Sequence, residues 1–269
     1  MGPREKVVLT KAQETLLIPL YAKANGQPIF IDEKAQQILD QIEYPFNELK
    51  IPKKTAVTLL VRAEKLDSYA QAFLQRNPNG LILHLGCGLD SRCLRVAHDQ
   101  AAWIDLDMPD VIALRRKLYP ENEGYKMIAS SVTDLTWLNQ VAVQQQPVLV
   151  IAEGLLMYLR ENEIRDLFLA LQTRFPGCEV AFDAFSRYTT ERIKNHPSLK
   201  KTGAEIHWGI DDPHDIEKWS NGIEFLEEWY FSQSPLVSKM DAFYKLMFKL
   251  TASIKMAQQA QRILFFRFN

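Results

Sequence analysis

Four short apolar runs in the middle of the chain end in residues that could contact a polar ligand. The first run is followed by Gly86 and Gly88, the second contains Asp105 and ends at Asp107, the third precedes Ser131, and the fourth precedes Glu153. In an open parallel sheet, ligands bind outside the carboxyl ends of the strands. If the runs are neighbouring strands, their endings form one ligand site at one edge of the sheet.

The loop at Gly86 and Gly88 lies between an apolar run and a helical stretch. Two residues without side chains let the backbone turn sharply and approach a ligand closely. A Gly-x-Gly pair by itself is equally typical of a tight strand-to-helix turn that binds nothing. Its interpretation therefore depends on its neighbours.

Asp107 is such a neighbour. It lies 21 positions after Gly86, close to the spacing of roughly 20 residues at which an acid binds ribose hydroxyls in nucleotide-binding βαβ units. Asp105 alternates onto the same side of an extended strand, so either acid could contact the ribose, and we favour Asp107. Asp107 could also cap the helix that Pro109 opens.

The loop favours a nucleoside without phosphates over a dinucleotide. The dinucleotide fingerprint has a third glycine where Ser91 stands, and Asp90 would place negative charge beside a pyrophosphate. S-adenosylmethionine carries a sulfonium cation and no phosphate, and acidic residues attract that cation. S-adenosylmethionine is therefore the expected cofactor.

Glu153 directly follows the apolar run 148–152. Acids at buried positions are rare unless they are paired or functional. We interpret Glu153 as an acid that faces the ligand. A helix cap or a salt bridge to an arginine is the alternative.

The spacing of apolar residues predicts the elements that carry these groups. In the first 80 residues, Asp32 can cap one helix and Pro52 can open a longer one that stops at Asn77. Beyond them, short apolar runs alternate with amphipathic stretches, which predicts a parallel sheet with helices on both faces. The expected strands are 81–85, 101–106, 125–129, 148–152, 179–182, 223–231 and 263–268. The expected helical stretches begin near 90, 109, 134 and 161, and cover 186–201 and about 235–258, the last separating two runs that could pair as an antiparallel edge.

The composition is that of a globular protein with one large core. Of 269 residues, 47% are hydrophobic and 24% charged, and the formal net charge is −1. Without a global positive field, nucleic acid and membranes are not expected partners, although a local patch could exist. The sequence has no apolar stretch long enough to span a bilayer or to act as a secretory signal, and three scattered cysteines suit neither a disulfide framework nor a zinc site. These features predict a cytoplasmic protein without a metal.

Three segments match motifs of a known family. They are LGCGLDSR at 85–92, WIDLDMP at 103–109 and AEGLLMYL at 152–159. The match continues through Arg62, SVTD at 131–134 with Trp137, and WGIDDP at 208–213. Together these segments resemble the leucine carboxyl methyltransferase family, in particular its bacterial branch of polyketide-synthesis (tetracenomycin-type) O-methyltransferases.

The resemblance implies the α/β, Rossmann-like fold of class I S-adenosylmethionine-dependent methyltransferases. In that fold a sheet of seven strands has an antiparallel last strand. Residues 1–80 would form an N-terminal helical cap, and residues 81–269 the methyltransferase core, with a cap insertion at about 186–220.

The resemblance also implies roles for the residues that bind the methionine and ribose parts of the cofactor. Arg62 is similar to the arginine that approaches the methionine carboxylate, and Glu153 to the acid that faces the methionine portion. Gly86, with Gly88 in the same loop, resembles the glycine motif that lies against the cofactor. Asp107 resembles the ribose acid.

Ser131 and Val132 fall where the family holds the adenine. The chain departs from the family pattern at two positions. Ser131 stands where an acid is frequent, so that contact to the adenine there could be through the backbone alone. Asp105 stands where glutamate is common.

The methyl acceptor decides whether a base is needed. A carboxylate, with a pKa of about 4, is already a nucleophile at neutral pH, whereas a phenol or alcohol usually needs a base. The candidates are Tyr158, His207 and His196, each of which could instead be structural, while His84 is expected in the core or beside the cofactor. An aromatic acceptor pocket, or equally a core beneath the cap, is expected from Leu16, Leu17, Tyr21, Phe30, Phe185, Tyr188, His207 and Trp208.

The leading interpretation is an O-methyltransferase that uses S-adenosylmethionine to methylate a carboxylate or phenolic hydroxyl of a small molecule. A nicotinamide-dependent oxidoreductase on a similar sheet is one alternative, and the missing third glycine and Asp90 count against it. A non-catalytic module that retains the cofactor pocket is the other. The sequence specifies neither the acceptor nor the oligomeric state.

Overall fold

The computed structural model describes residues 5–6, 11–49, 51–142, 145–193 and 205–269 of the chain. Its main feature is a seven-stranded sheet, and each strand coincides with one of the expected apolar runs to within a few residues. The strands are β1 (Leu81–Leu85), β2 (Ala102–Asp107), β3 (Tyr125–Ala129), β4 (Val148–Ala152), β5 (Cys178–Phe185), β6 (Ile223–Tyr230) and β7 (Gln261–Phe268).

The strand order across the sheet is β3-β2-β1-β4-β5-β7-β6. Strands β1 to β5 are parallel, and β7 is antiparallel to both of its neighbours, β5 and β6. The order of strands reverses between β1 and β4, which is the position where open α/β sheets bind ligands. The expected fold class is confirmed, including the antiparallel last strand and the pairing of the two final runs.

Helices connect the strands and precede the sheet. They are α1 (Lys11–Ala24), α2 (Glu33–Leu39), α3 (Lys53–Arg76), α4 (Arg92–Arg95), α5 (Pro109–Leu118), α6 (Glu161–Arg174), α7 (Arg187–Ile193), α8 (His214–Glu217), α9 (Ala242–Ala252) and α10 (Lys255–Gln258). The predicted start signals are confirmed for α2, where Ala35 N donates to Asp32 Oδ1 at 2.8 Å, and for α3, which follows Pro52 and ends before Asn77. A two-residue strand, Glu5–Lys6, pairs with Ile42–Glu43 before α3 begins.

Three expected helices are shorter than predicted. The stretch near Asp90 forms only the four-residue α4, and the stretch after Asp134 forms a 3-10 helix, Leu135–Gln140, because the Asp134 side chain accepts from Thr136 N in a tight turn. The stretch 235–258 is divided into a 3-10 helix (Pro235–Lys239), α9 and α10, with an extended Ile254 (φ −124°, ψ 105°) before α10. The helix expected over 186–201 begins as α7, and its residues from 194 onward lie outside the described residues.

The sheet is covered on both faces by apolar side chains. Leu149 and Ile151 of β4 belong to a cluster that also contains buried residues of α1, α2 and α3. Val148 and Val150 face the other cluster, which contains α6. A strand buried on both faces needs apolar residues at every position, which explains why β4 is a continuous apolar run.

Helices α1 to α3 share this core with the sheet, since both contribute to one cluster. The division of the chain into a cap and a core remains a prediction. Among the described residues, no helix is both long and apolar enough to cross a membrane.

Candidate functional site

The parallel strands bring the predicted ligand-binding groups to one edge of the sheet. Leu85 at the end of β1 is paired with Leu106 of β2 and with Ala152 of β4, and Asp107 is paired with Ala129 of β3. The residues that follow these strands are therefore neighbours along the carboxyl edge. The convergence expected from the sequence is confirmed.

The glycine loop after β1 is tight and depends on both glycines. Gly86 and Gly88 have φ of +63° and +51°, a region that favours glycine. Gly86 N donates to Leu106 O at 2.8 Å, which fixes the loop to β2. A Cβ atom on Gly86 would lie 2.9 Å from Leu155 Cδ1, so a side chain here would displace the residues that follow β4.

Asp107 joins the ends of β1 and β2 and keeps part of its surface exposed. Its Oδ2 accepts from Gly88 N and its Oδ1 accepts from Met108 N, both at 2.7 Å. A carboxylate has about four acceptor positions, so two remain for ligand hydroxyls. Burial raises the pKa of Asp107 above its ordinary value, although the two backbone hydrogen bonds oppose the shift. The alternative in which Asp107 caps α5 is wrong: Met108 stands at the N-cap of α5, the helix has no side-chain cap hydrogen bond, and Asp107 contacts only Met108 N before the helix begins.

Asp105 lies on the same side of β2 but is fully buried. Its carboxylate binds Arg115, accepts from Tyr125 Oη at 2.6 Å and from Trp103 Nε1 at 2.9 Å. Burial alone would raise its pKa, but Arg115 and the hydrogen-bonding neighbours outweigh burial and hold the pKa well below the ordinary value. Asp105 therefore has no exposed surface for ribose hydroxyls in this structure, and its part is to hold α5 on the sheet.

His84 lies next to Asp105 in the core, which is one of the two positions expected for it. Its Nδ1 lies 3.2 Å from Asp105 Oδ1 and its Nε2 lies 3.2 Å from Arg92 Nη1. Arginine can only donate, so Nε2 is the acceptor and Nδ1 carries the proton towards Asp105. His84 thus connects the buried Asp105 of β2 with Arg92.

Ser131 and Val132 follow β3 at the same edge. The partly exposed Ser131 makes a local hydrogen bond with Thr133 Oγ1 at 2.8 Å. Val132 is buried, and its carbonyl accepts from Trp137 Nε1 at 3.2 Å. Of the two, only Ser131 presents a polar side chain at the edge.

Glu153 follows β4 and is surrounded by three cations from different elements. Arg62 Nε donates to Oε1 at 3.2 Å, Arg92 Nη2 donates to Oε2 at 2.5 Å, and Lys23 Nζ lies 3.4 Å from Oε1. Burial disfavours the charge, but the cations outweigh burial and hold the pKa of Glu153 well below its ordinary value. The salt bridge that the sequence left as an alternative is present, and it lies inside the candidate site.

Lys23 was not identified by the sequence analysis. Its side chain is almost fully buried and lies 3.0 Å from Asp90 Oδ2 as well as beside Glu153. A buried lysine is rare unless it is paired. The available signal was its spacing, because Leu17, Leu20 and Lys23 recur at three-residue steps on the buried face of α1.

Asp183 is a second residue that the sequence analysis did not identify. It is buried in β5, where its Oδ2 accepts from Arg62 Nη1 at 2.9 Å and from Gln261 Nε2 at 3.1 Å. Its Oδ1 accepts from Gly154 N at 2.5 Å. Asp183 therefore fixes Arg62 and the loop after Glu153 together. The rule that singled out Glu153, an acid within an apolar run, would also have found it.

The cluster below the edge has an excess of negative charge. Within the part of the chain that the structure describes, seven carboxylates and five cations are linked through contacts to one another or to the glycine loop, which leaves two negative charges when His84 is neutral. The carboxylates are Asp32, Asp67, Asp90, Asp105, Asp107, Glu153 and Asp183, and the cations are Lys23, Arg62, Arg92, Arg95 and Arg115. An excess of carboxylates attracts a cation, so the edge suits a positively charged ligand.

Tyr158 and His207, the two candidate bases among the described residues, lie close together. His207 N donates to Met157 O at 2.9 Å, which holds the chain around 207 against the residues next to Tyr158. His207 Nε2 lies 3.7 Å from Glu205 Oε2. Burial raises the pKa of Tyr158 above its ordinary value. The third candidate, His196, lies outside the described residues.

The residues expected around an acceptor pocket divide between core and surface. Leu17, Phe30 and Trp208 are buried in the apolar clusters, as in the alternative interpretation. Tyr188 is half exposed, and Leu16 Cδ2 lies 3.3 Å from where a Cβ of Gly88 would stand.

Comparison with known proteins assigns the chain to a family. The family model of leucine carboxyl methyltransferase matches residues 19–172. The chain is 38% identical to the tetracenomycin polyketide synthesis O-methyltransferase TcmP of Streptomyces glaucescens, covering 98% of this chain and 99% of that protein. It is 34% identical to the S-adenosyl-L-methionine-dependent methyltransferase dpfgK of Gibberella zeae, covering 84% of each.

Among solved structures, a duf574 family protein from Streptomyces avermitilis shares the fold, with a TM-score of 0.63 at 12% identity over 97% of this chain and 99% of that chain. The family match spans more than half of the chain and includes the glycine loop, Asp107 and Glu153. The sequence similarity to TcmP extends over nearly the whole length. The chain therefore belongs to the leucine carboxyl methyltransferase family.

Proposed function

We propose that this protein transfers a methyl group from S-adenosylmethionine to an oxygen of a small molecule, either a carboxylate or a phenolic hydroxyl. The observation that carries the proposal is the carboxyl edge itself, where a glycine loop, a partly exposed Asp107 and a cluster with excess negative charge meet. The two relatives, an O-methyltransferase and an S-adenosyl-L-methionine-dependent methyltransferase, support it.

The residues at the edge fit the parts of this cofactor. Asp107 has two acceptor positions left for the ribose hydroxyls. Gly86 adopts the positive φ that turns the loop at the carboxyl edge, so that the loop backbone can lie against the methionine portion. Arg62, held by Glu153 and Asp183, supplies positive charge for the methionine carboxylate. When bound, S-adenosylmethionine supplies an electrophilic methyl group on a sulfonium.

Ser131 and Val132 would border the adenine, and Lys23 and Glu153 the methionine portion. Ser131 offers a hydroxyl and Val132 an apolar side chain, a pairing that suits a flat heterocycle with polar edges. Glu153 is ionised, because its three cationic neighbours lower its pKa, and it holds Arg62 and Lys23 at the methionine portion. Asp105 would not contact the cofactor, and its role is limited to the contacts that hold α5.

The contribution of the protein to the reaction is position and exclusion of water. A methyl transfer is an in-line displacement, in which orientation of the acceptor oxygen accounts for much of the rate. Tyr158, whose pKa burial raises, is protonated at neutral pH and can donate a hydrogen bond to the acceptor. His207, with Glu205 nearby, is the better candidate for a base.

Turnover with a panel of acceptors tests the proposal. The purified protein is incubated with S-adenosylmethionine and aromatic carboxylic acids or phenols, and release of S-adenosylhomocysteine is measured. If the protein binds the cofactor but releases no S-adenosylhomocysteine with any acceptor of a broad panel, the non-catalytic alternative is favoured. Saturable heat with a nicotinamide dinucleotide and none with S-adenosylmethionine would favour the oxidoreductase.

His207→Gln separates the two acceptor chemistries. A carboxylate needs no base, so its methylation should be unchanged, whereas methylation of a phenol should fall by about 10²- to 10⁴-fold if His207 removes the proton. Mild alkali cleaves an ester product but not an ether, which identifies the acceptor oxygen independently.

The acceptor is thus proposed as a small molecule, without nucleic acid as a partner. We propose a cytoplasmic location, where a reducing environment suits three cysteines that are all unpaired and buried. The absence of a metal from the reaction remains a prediction.

A further inference from the structure

Half of the large, well-exposed apolar side chains in the described residues lie on α9, α10 and the link between them. We call these five side chains the apolar ridge. They are Phe243 (69% exposed), Leu246 (56%), Leu250 (58%), Ile254 (54%) and Met256 (60%). Contiguous apolar surface on a folded protein commonly marks an interaction site.

The side chains of the ridge do not contribute to the packing of the core. Phe243, Leu246 and Leu250 follow one another at steps of three and four, which places them on one face of α9. Tyr244 and Phe248 lie on the opposite face and are buried in the core. The helix therefore has two apolar faces, of which only one is needed for packing.

Lysines border the ridge, and no acid lies among them in the sequence. Lys245, Lys249 and Lys255 are exposed, and the sequence from residue 242 to residue 269 contains no Asp or Glu. The acid immediately before α9, Asp241, is paired with Lys53 at 2.7 Å. The ridge and its lysines form one apolar and basic surface, so the occupant should be apolar at its centre and negatively charged around it.

A second copy of the chain does not meet this requirement. In a symmetric dimer the same patch faces itself, which would bring lysines against lysines with no acid to separate them. The segment 194–204, which lies outside the described residues, contains three lysines and no acid. Its charge does not complement the ridge either.

A bilayer with anionic lipids meets both requirements. Interfacial helices insert their apolar side chains at the boundary of headgroups and acyl chains, while lysines on the flank contact lipid phosphates. Three of the five side chains, Phe243, Leu246 and Leu250, form one exposed helix face, and Ile254 and Met256 extend the apolar surface beyond it, as insertion into lipid requires. We propose that the apolar ridge docks this protein onto an anionic lipid surface.

The chain connects the ridge to the candidate active site. Helix α10 leads into β7, whose first residue, Gln261, pairs with Phe185 at the carboxyl end of β5. Gln261 Nε2 donates to Asp183, which in turn holds Arg62. The docking itself depends on the ridge and its lysines, and not on the proposed function.

Vesicle sedimentation with the full chain tests the proposal. The probes are vesicles of phosphatidylcholine alone and vesicles containing about one-third phosphatidylglycerol. We expect binding to the anionic vesicles, much weaker binding to the neutral ones, and loss of binding as salt screens the lysines.

The lysines are tested with Lys245→Gln/Lys249→Gln/Lys255→Gln. Each lysine near an anionic surface contributes roughly fivefold to binding, so the triple variant should lose on the order of a hundredfold in affinity. The matched control is a triple variant of exposed lysines on other elements, Lys34→Gln/Lys117→Gln/Lys126→Gln, which should change affinity far less.

The apolar side chains are tested with Leu246→Ser/Leu250→Ser, and Ile31→Ser is the control because Ile31 is equally exposed. All these positions are exposed, and circular dichroism with melting temperatures checks that each variant is folded. The proposal fails if the wild type does not bind anionic vesicles, or if the ridge variants bind as well as their controls. A dimer that Leu246→Ser/Leu250→Ser converts to a monomer, without vesicle binding by the wild type, would assign the ridge to a second copy.

Discussion

Replacing Asp107 with alanine tests the ribose contact on which the cofactor site depends. The carboxylate accepts from Gly88 N and Met108 N at 2.7 Å each, and so joins the ends of β1 and β2. Alanine removes both acceptors and the two positions that remain for a ligand. The variant should therefore affect stability and cofactor binding separately.

The two effects are measured separately. Water can reach the freed N–H of the exposed Met108, whereas Gly88 is buried and its N–H loses its partner, so we expect a loss of about 1–3 kcal/mol in the free energy of unfolding. The ribose hydroxyls lose a charged acceptor, which should weaken S-adenosylmethionine binding by about 1–3 kcal/mol, or roughly 5- to 150-fold in Kd.

Calorimetric titration with S-adenosylmethionine measures the change in Kd, and thermal melting without cofactor measures the change in stability. Asn122→Ala is a matched control, because Asn122 Oδ1 also accepts from two backbone N–H groups, those of Gly124 and Tyr125, at the start of β3. The control should lose stability but keep its affinity. An unchanged Kd for Asp107→Ala would remove Asp107 from the site.

Three further predictions concern the charged cluster and pH. Glu153→Gln should lower the melting temperature and weaken cofactor binding, because three cations lose their shared anion; a lower melting temperature with normal binding would make Glu153 structural. Asp183→Asn should cost about 3–5 kcal/mol of stability, as expected for a broken buried pair with Arg62, and should raise the KM for the cofactor more than it lowers kcat; equal melting temperatures would contradict it. Burial raises the pKa of Asp107, so its carboxylate should be protonated, and cofactor affinity lost, at a higher pH than for an ordinary aspartate. Calorimetry at a series of pH values measures this loss. An affinity that stays constant down to about pH 4 would contradict the prediction.

The strands and the glycine turn could be predicted because their signals are local. β1, β3 and β4 have the predicted bounds, since each is a short apolar run closed by turn or polar residues. The positive φ of Gly86 and Gly88 follows from the need for a sharp turn after β1. The short helices were harder to predict, because apolar periodicity does not reveal a break such as the extended Ile254.

The sequence by itself determined which elements form and which acids stand at the ends of strands. Only the tertiary structure decided how those acids are used. Asp105 and Asp107 have the same spacing signal, yet Arg115 and Tyr125 enclose the first and leave the second partly exposed.

The positions of Lys23 and Asp183 in the site also depend on the tertiary structure. Lys23 contacts Glu153 across 130 positions of sequence, and Asp183 contacts Arg62 across 121. These pairs exist because α1 and α3 pack on the sheet, and the depth at which a charge is buried depends on that packing rather than on the neighbouring residues in the chain.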